Sequence, residues 1–365
     1  MVSKGMLWLL AAGGLSLAAS RLTPPIAAPI PNDSLELATG RIRAVESSGK
    51  RASVAQLLDH ARHSFALRTG TQGYDLKVSF TVDSRGQTEH DGAWQMEEIF
   101  DPKVGYRWTA KASDGYSIMR IASHGKLYGD ETEGHVPLRL QEARAALFDA
   151  IPSAQHVANA SIRQSPAVFN GARLTCVLLS SVKTAGRSIR GRRWDETEEC
   201  IDAESGLVRM HSQIPGRYFL YDYSDAPRLG DYTLPRKVAV TEAGRTVTTM
   251  SIDSLTENPS PDPSLFVPTE EMKAKGRAIT MARAQKIWHV AGRGLAGAAT
   301  HAVCVFGLVT PEGTLVEAHS LQPADPNSQA AVEAAQQMNF SYPALLAPPP
   351  QQHFVFIIQE FGSSQ

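Results

Sequence analysis

Apolar residues recur along the chain with two different spacings. Over residues 53–70 they repeat at intervals of three and four, which predicts a helix. Over residues 74–82 apolar and polar positions alternate, which is typical of a strand with one buried face. A second helical pattern covers residues 137–151. The first half of the chain is therefore expected to contain two amphipathic helices and a half-buried strand.

Further segments with the strand pattern continue almost to residue 268. Because these segments are short and follow one another closely, the sequence predicts an antiparallel meander. They lie at 93–100, 106–111, 116–122, 126–128, 158–164, 173–181, 194–201, 206–213, 217–223, 235–241 and 245–255. The predicted fold class is α+β, with an antiparallel half-barrel sheet over residues 51–268 that the two helices cover.

The last part of the chain has a different pattern. Small and basic residues dominate 269–297, which predicts a linker. Two apolar strand segments then flank a turn at 311–313, a helical pattern covers 328–338, and an apolar segment follows at 352–361. These patterns predict a small β-β-α-β domain over residues 298–362.

Composition limits the class of protein. The 365 residues include 36 basic and 37 acidic side chains, for a net charge of −1, whereas nucleic-acid-binding proteins usually have a strongly basic balance. With 42% hydrophobic and 20% charged residues, the chain has enough apolar material to form a core. We therefore expect a folded two-domain protein and no nucleic-acid partner.

The N-terminus has the features of a secretory signal peptide over residues 1–20. Lys4 provides the positive charge, an apolar segment follows at 6–19, and small residues at 18–20 match a cleavage site. Residues 21–50 are rich in proline and are predicted to form an unpacked leader. These features predict periplasmic localisation after cleavage, with an uncleaved membrane anchor as the alternative.

The three cysteines have a different meaning in an oxidising compartment, where disulfides form. Cys176 and Cys200 lie in strand segments on either side of a turn-rich connection. A disulfide across paired strands is predicted, with two separate thiols as the alternative. The bridge would stabilise the fold by about 3.5 kcal/mol, because it restricts the unfolded chain. Cys304, in an apolar segment, is expected to be a buried free thiol.

Motifs that carry catalysis are missing from the sequence. It contains no G-x-S-x-G, H-E-x-x-H, phosphate-binding loop, dinucleotide-binding glycine pattern or C-x-x-C pair. His60 and His63 form a close histidine pair, and a solvated helix face explains them better than a shared metal. The sequence therefore predicts no enzyme activity, no cofactor and no metal site.

Large apolar residues on the predicted strands of the first domain are candidates for lining one surface. One interpretation is an ordinary core beneath the helices. The other is a cavity for acyl chains, because a curved sheet covered by only two helices can leave such a space. The candidate lipid-binding residues are Tyr74, Leu76, Phe80, Trp94, Met96, Tyr106, Trp108, Tyr116 and Ile118.

The order of elements over roughly residues 50–268 resembles the periplasmic lipoprotein carriers of the LolA type. The resemblance rests on the opening helix, the strand at 73–83, the segments DPKVGYRW and SHGKLY, and the closing PSLFVP. Proteins of this family fold as an incomplete antiparallel barrel closed by helices and hold acyl chains inside. The resemblance implies a half-barrel that takes a lipid or lipoprotein ligand.

Residues 298–362 resemble a TonB C-terminal domain. The resemblance rests on the β-β-α-β order, the turn PEG, the segment MNFSYPA and the last strand. In that family the domain pairs by strand addition with an outer-membrane transporter, which implies an outer-membrane or envelope protein as partner. An exposed strand edge would provide unpaired backbone groups. The candidate edge residues are Phe354, Phe356, Ile357, Ile358 and Phe361.

Taken together, these patterns predict a non-enzymatic periplasmic protein of the cell envelope. It is expected to bind a lipid or lipidated partner in the half-barrel and a protein strand through the C-terminal module. Two alternatives stay open: a structural scaffold with a filled core, and a TonB-type transport component.

Overall fold

The computed structural model describes residues 43–44, 48–130, 134–180, 188–189, 192–291, 299–340 and 351–362. The predicted signal peptide (1–20) and most of the predicted leader (21–50) lie outside these ranges. The end of the leader belongs to the fold, because Arg43–Ala44 forms a strand and a helix begins at Ser48. Within the described ranges, no helix is both long and apolar enough to cross a membrane.

The described part of the chain contains five α-helices and 21 strands. The helices are α1 (Ser48–His63), α2 (Leu138–Phe148), α3 (Ala154–Asn159), α4 (Glu270–Lys275) and α5 (Ser328–Gln336). The strands are β1 (Arg43–Ala44), β2 (Tyr74–Val82), β3 (Gly92–Asp101), β4 (Gly105–Ala112), β5 (Ser117–Ser123), β6 (Lys126–Gly129), β7 (Ser161–Phe169), β8 (Ala172–Ser180), β9 (Ser188–Ile189), β10 (Arg192–Arg193), β11 (Thr197–Asp202), β12 (Val208–Ile214), β13 (Arg217–Asp222), β14 (Arg228–Leu229), β15 (Tyr232–Thr233), β16 (Lys237–Glu242), β17 (Arg245–Glu257), β18 (Thr280–Ala291), β19 (Ala299–Val309), β20 (Leu315–Ser320) and β21 (Gln351–Gly362).

Thirteen strands form one large open sheet, with the order β1-β7-β8-β11-β12-β13-β16-β17-β2-β3-β4-β5-β6. Every adjacent pair in it is antiparallel. Strand β17 pairs with β2, so the end of the meander lies in the middle of the sheet beside its first long strand. The predicted antiparallel sheet with a few covering helices is confirmed at this level.

Alternating side chains build the strands of this sheet as predicted. Along β2 the apolar side chains are buried and the polar ones between them are more exposed. The predicted segment DPKVGYRW becomes the tight turn between β3 and β4. Gly105 begins β4 with φ of 142°, and a Cβ there would lie 2.0 Å from the carbonyl oxygen of Ala122. Only glycine fits this close approach of two strands.

Helices α1 and α2 contribute to the core of the large sheet. Val54 and Leu58 of α1 are buried in it, and so are Leu140 and Leu147 of α2. The first helix is shifted toward the N-terminus relative to the prediction, because a 3₁₀ turn at Leu67–Thr69 replaces its last part. Both predicted amphipathic helices therefore exist and bury their apolar sides.

The predicted disulfide is present. Cys176 on β8 and Cys200 on β11 face each other in register, with Cα atoms 3.9 Å apart, and their sulfurs are bonded. Cys304 is a buried free thiol, as expected. Burial raises the pKa of this thiol above its ordinary value, so it is a poor nucleophile.

The C-terminal strands form a separate four-stranded sheet, with the order β18-β21-β19-β20. The prediction of a linker over 269–297 was wrong, because this segment contains α4 and β18. Strand β18 pairs in parallel with β21. Its backbone partner comes from a strand much later in the chain, so local composition did not reveal it.

The predicted strand-pairing edge lies in the interior of this sheet. The residues Phe354, Phe356, Ile357, Ile358 and Phe361 all belong to β21, which hydrogen-bonds to β18 on one side and to β19 on the other. Most of these side chains are fully buried. The edge prediction was wrong, because an apolar strand of this kind is typical of a sheet centre that is covered on both faces.

The four-stranded sheet packs on the large-sheet domain through a common hydrophobic core. Phe306, Phe354 and Phe356 from the C-terminal strands are in this core with Leu138 of α2 and with Trp194. The rings of Phe306 and Phe356 stack with centroids 4.8 Å apart. The two sheets therefore contact each other through packed apolar side chains.

A buried network of charged side chains crosses the same interface. Glu242 lies 2.8 Å from Arg139, 3.1 Å from Arg217 and 3.0 Å from His319. Glu142 pairs with both arginines. Burial opposes the ionised form of Glu242, but attraction to Arg139 and His319 outweighs it and holds the pKa of this carboxyl well below its ordinary value. The network joins α2, β13 and β16 to β20 of the C-terminal sheet.

Candidate functional site

The nine candidate lipid-binding residues lie in a filled core. Tyr106 is partly buried, and the other eight are at most 8% exposed. Their rings pack against one another, as in the stacked pair Phe80 and Trp94 with centroids 5.4 Å apart. These residues are Tyr74, Leu76, Phe80, Trp94, Met96, Tyr106, Trp108, Tyr116 and Ile118, and none of them lines the large cavity of the molecule. In this region the structure favours the interpretation of an ordinary core.

The large cavity lies between the helices of the first domain and the C-terminal sheet, and has a volume of about 980 Å³. Its walls come from α1, α2, the loop between α2 and α3, strands β11 and β12, and strands β18 and β21. This volume is at the upper end of the range of roughly 300–1,000 Å³ that small-molecule sites occupy. The cavity depends on both sheets, because each provides part of the wall.

Apolar side chains line much of this cavity. Phe65, Phe148 and Ile151 come from the first domain, whereas Met281 and Phe354 come from the C-terminal sheet. The cavity wall is thus hydrophobic on both sides of the interface. Such a surface suits an apolar ligand group, since it removes that group from water.

The cavity wall contains a half-buried arginine pair that shares a single carboxylate. Arg68 donates from Nε to Glu98 Oε1 at 2.8 Å, and its second nitrogen contacts the other carboxylate oxygen. The guanidinium carbon of Arg68 also lies 4.0 Å from the ring centres of Tyr106 and Phe148. Burial opposes the charge of Arg68, but attraction to Glu98 outweighs it and raises the pKa. Tyr74 Oη donates to the same carboxylate at 2.8 Å.

The second arginine is held more loosely by Glu98. Arg144 on α2 lies 3.9 Å from Glu98 Oε2, and its guanidinium carbon is 4.2 Å from the ring centre of Trp108. Burial and then repulsion from Arg68 lower the pKa of Arg144 to about 10. Among the described residues, its buried Nε has no hydrogen-bond acceptor. Gln141, one helical turn before it and also on the cavity wall, is 4% exposed and has an amide nitrogen without an acceptor.

A lysine from the C-terminal sheet lines the cavity beside Asp195. Lys286 on β18 donates to the backbone carbonyl of Asp195 at 2.7 Å. Burial and then repulsion from Arg192 lower the pKa of Lys286 to about 7. On the same cavity wall, His211 contacts the buried carboxylate of Glu199 at 2.9 Å. The cavity therefore combines apolar walls with basic and acidic side chains.

Sequence reasoning did not identify these polar groups. No recognisable motif contains Arg68, Gln141, Arg144 or Lys286. Gln141 and Arg144 lie on α2, and polar residues on such a helix are ordinarily exposed to solvent. The one available signal is the pair Gln141 and Arg144, which are three residues apart among the apolar positions of α2 and so share a face.

Within the part of the chain that the structure describes, two groups of side chains have the composition of a metal site. Glu89, His135 and Glu317 place their ligand atoms within 4.8 Å of one another. The two oxygens of Glu317 already accept from the backbone nitrogens of Leu138 at 2.7 Å and Glu89 at 3.0 Å. Glu317 therefore makes a structural contact that holds the start of α2, and this contact explains the group. In the other group, Cys176 and Cys200 with Glu198, the disulfide occupies both sulfurs.

Comparisons with known proteins give matches of structure only. No family model matches the chain, and no curated protein matches it. It is similar to a LolA superfamily protein from Nitrosomonas europaea, with a TM-score of 0.37 and 8% identity over 58% of this chain and 96% of the other. It is also similar to a DUF1329 family protein from Desulfovibrio piger, with a TM-score of 0.32 and 8% identity over 59% and 97% of the two chains. A third similar structure is MucB, with a TM-score of 0.27 and 12% identity over 60% and 64%.

Proposed function

We propose that this protein is a non-enzymatic binding protein that holds the apolar part of an amphiphilic ligand, a lipid or the acyl chain of a lipidated partner. The binding site is the cavity between the large sheet and the C-terminal sheet. The observation that carries this proposal is the cavity of about 980 Å³ with aromatic and aliphatic walls. A site of this size and lining buries most of a small amphiphile.

The cavity replaces the half-barrel interior as the proposed lipid site. The nine candidate residues of the half-barrel pack against one another and do not line this cavity. The C-terminal module then has a role in the binding site itself, because Met281, Lys286 and Phe354 line the cavity. Strand pairing through β21 has no part in this proposal.

The proposed location is an oxidising compartment outside the cytosol. The bond between Cys176 and Cys200 supports this location, because disulfides persist there and are rare in the cytosol. The sequence pattern of residues 1–20 supports it independently. A periplasmic protein with a lipid cavity would fit the carrier class that the sequence resembles.

Binding of a fluorescent fatty acid tests the proposal. Ala145 lines the cavity, so Ala145→Trp places an indole in the space that the acyl chain would occupy. The matched control is Ala203→Trp, because Ala203 is exposed and lies in a turn. We expect the wild type and the control to bind the probe with equal affinity and the Ala145 variant to bind it at least about tenfold more weakly. Equal binding by all three proteins would place the ligand elsewhere, and no binding by the wild type would refute the proposal.

A further inference from the structure

Basic side chains outnumber acidic ones on the cavity wall, which includes Arg62, Arg68, Arg144 and Lys286 together with Asp149 and Asp195. Two guanidinium groups, Arg68 and Arg144, share the single carboxylate of Glu98. Arg68 takes both carboxylate oxygens, which leaves Arg144 only a contact of 3.9 Å. Arginine keeps its charge under ordinary conditions, so a further negative partner would stabilise the half-buried guanidinium of Arg144.

Two side-chain donors beside the cavity lack an acceptor among the described residues. Arg144 Nε and Gln141 Nε2 are buried, and no described residue accepts a hydrogen bond from either atom. Both residues line the cavity, and their spacing places them on one face of α2. Leaving a buried donor without an acceptor costs free energy, and a bound water, ion or ligand group can remove that cost.

The chemistry of these groups specifies the missing acceptor. A guanidinium and an amide are hydrogen-bond donors that match the oxygens of a carboxylate or phosphate. The neighbouring ring of Phe148 and the side chains of Ala145 and Ile151 continue the wall as an apolar surface. The arrangement therefore suits a molecule with an anionic end and a hydrocarbon chain.

We propose that Gln141 and Arg144 form the head-group subsite of the cavity and bind the carboxylate or phosphate of an anionic amphiphile. This inference rests on the proposed function and adds the charge of the ligand to it. Glu98 holds Arg68 in place and leaves Arg144 available to the ligand. The guanidinium group of Arg144 packs on the ring of Trp108, and this contact restricts the orientation of the arginine side chain.

Three ligands with the same hydrocarbon chain test the subsite by calorimetry: oleate, oleyl phosphate and the uncharged oleyl alcohol. We expect the wild type to bind at least one of the two anions about ten- to a hundredfold more tightly than the alcohol, which is the usual effect of hydrogen bonds to a charged group. The preferred anion identifies the head group as a carboxylate or a phosphate.

Variants at the subsite separate charge recognition from chain binding. In Arg144→Met the side chain at position 144 keeps its contact with Trp108 but has no charge. The preference for the anion should therefore disappear, while the affinity for the alcohol stays the same. Arg144→Lys should restore part of the preference. Gln141→Leu should weaken anion binding about threefold to tenfold, through loss of one donor. The control is Arg245→Met, at an arginine that contacts the Asp83 backbone and does not line the cavity.

Each outcome decides between the two proposals. The head-group subsite is refuted if the wild type binds the alcohol as tightly as both anions. It is also refuted if Arg144→Met and Gln141→Leu lower the affinity for all three ligands equally. In both cases the proposed function stands. If the wild type binds none of the three, the proposed function fails and the subsite with it. Should Arg144→Met not fold, Gln141→Leu alone carries the same comparison.

Discussion

Replacement of Lys286 by methionine is expected to stabilise the ligand-free protein. The lysine lines the cavity, and burial followed by repulsion from Arg192 lowers its pKa from 10.5 to about 7. A change of this size corresponds to at most about 4–5 kcal/mol of unfavourable free energy in the folded state at neutral pH. Methionine has a similar length and carries no charge, so Lys286→Met removes this cost.

Two effects reduce the expected gain. The ammonium loses its hydrogen bond to the Asp195 carbonyl, worth about 1–1.5 kcal/mol. Partial contact of Lys286 with the open cavity also lessens the cost of burial. We therefore expect the variant to be more stable than the wild type by about 2 kcal/mol at pH 7.

The sign of the pH dependence follows from the direction of the pKa change. Between pH 7 and 10.5 the unfolded state holds a proton on Lys286 that the folded state has lost, so wild-type stability rises with pH in this window. Below pH 7 both states are protonated and this dependence ends. The variant lacks the lysine, so its advantage should shrink by about 1–2 kcal/mol between pH 7 and pH 9.

Urea unfolding of the disulfide-intact proteins at pH 7, 8 and 9 measures this difference. The control is Lys273→Met, at an exposed lysine that pairs with Glu270, and this variant should follow the wild type at every pH. A constant difference between wild type and Lys286→Met across the three pH values would show that burial does not lower the pKa of Lys286. A variant that is less stable than the wild type at pH 7 would contradict the expected gain in stability.

Three further replacements test the packing described above, each measured by urea unfolding. Arg217→Met should lower the free energy of unfolding by about 3–5 kcal/mol, because it leaves Glu242 buried without one of its cations. Joint replacement of Cys176 and Cys200 by alanine should lower it by about 3.5 kcal/mol, through the entropy that the unfolded chain regains. Trp94→Ala should lower it by about 3–5 kcal/mol and leave oleate affinity unchanged, because Trp94 belongs to the filled core.

Each of these three results has a clear contrary outcome. A loss below about 1 kcal/mol for Arg217→Met would mean that the interface network is solvated. An unchanged unfolding midpoint after removal of the disulfide would mean that the two strands hold their register without it. Loss of oleate affinity in Trp94→Ala, with the fold intact, would return the ligand to the half-barrel interior.

Local patterns predicted the elements that local residues determine. The alternation in residues 74–82 predicted β2, and the helical spacing after residue 137 predicted α2. In both cases the spacing of apolar residues close together in sequence determines the type of element. The disulfide between Cys176 and Cys200 was predicted for the same reason, since a short turn-rich connection brings the two strands together.

The errors concern contacts between residues that are far apart in sequence. Strand β18 was taken for a linker because its parallel partner β21 comes much later. The edge assignment of Phe354 to Phe361 failed for the same reason, since β18 covers the side that was expected to be open. A single apolar strand gives no information about how many neighbours it has.

The cavity was beyond sequence reasoning for a related reason. Gln141 and Arg144 occupy positions on α2 that a single helix would expose to water. They become cavity walls because the C-terminal sheet, with Met281 and Lys286, covers that side of the domain. Likewise, the sequence pattern around Trp94 is the same whether the sheet encloses a ligand or is packed with its own side chains. Only the three-dimensional structure distinguishes a ligand cavity from a packed core.

The most direct test of the central claim is photocrosslinking with a fatty acid that carries a diazirine on its chain, followed by mass spectrometry of the labelled peptides. The cavity is lined by side chains from two distant segments of the protein, residues 145–153 and the β18 residues Met281, Ala284 and Lys286. If the ligand binds in this cavity, both segments should be labelled, and excess oleate should remove the labels. Labels confined to strands β2–β5 would contradict this binding site, because the ligand would then lie in the half-barrel interior that the structure shows to be filled.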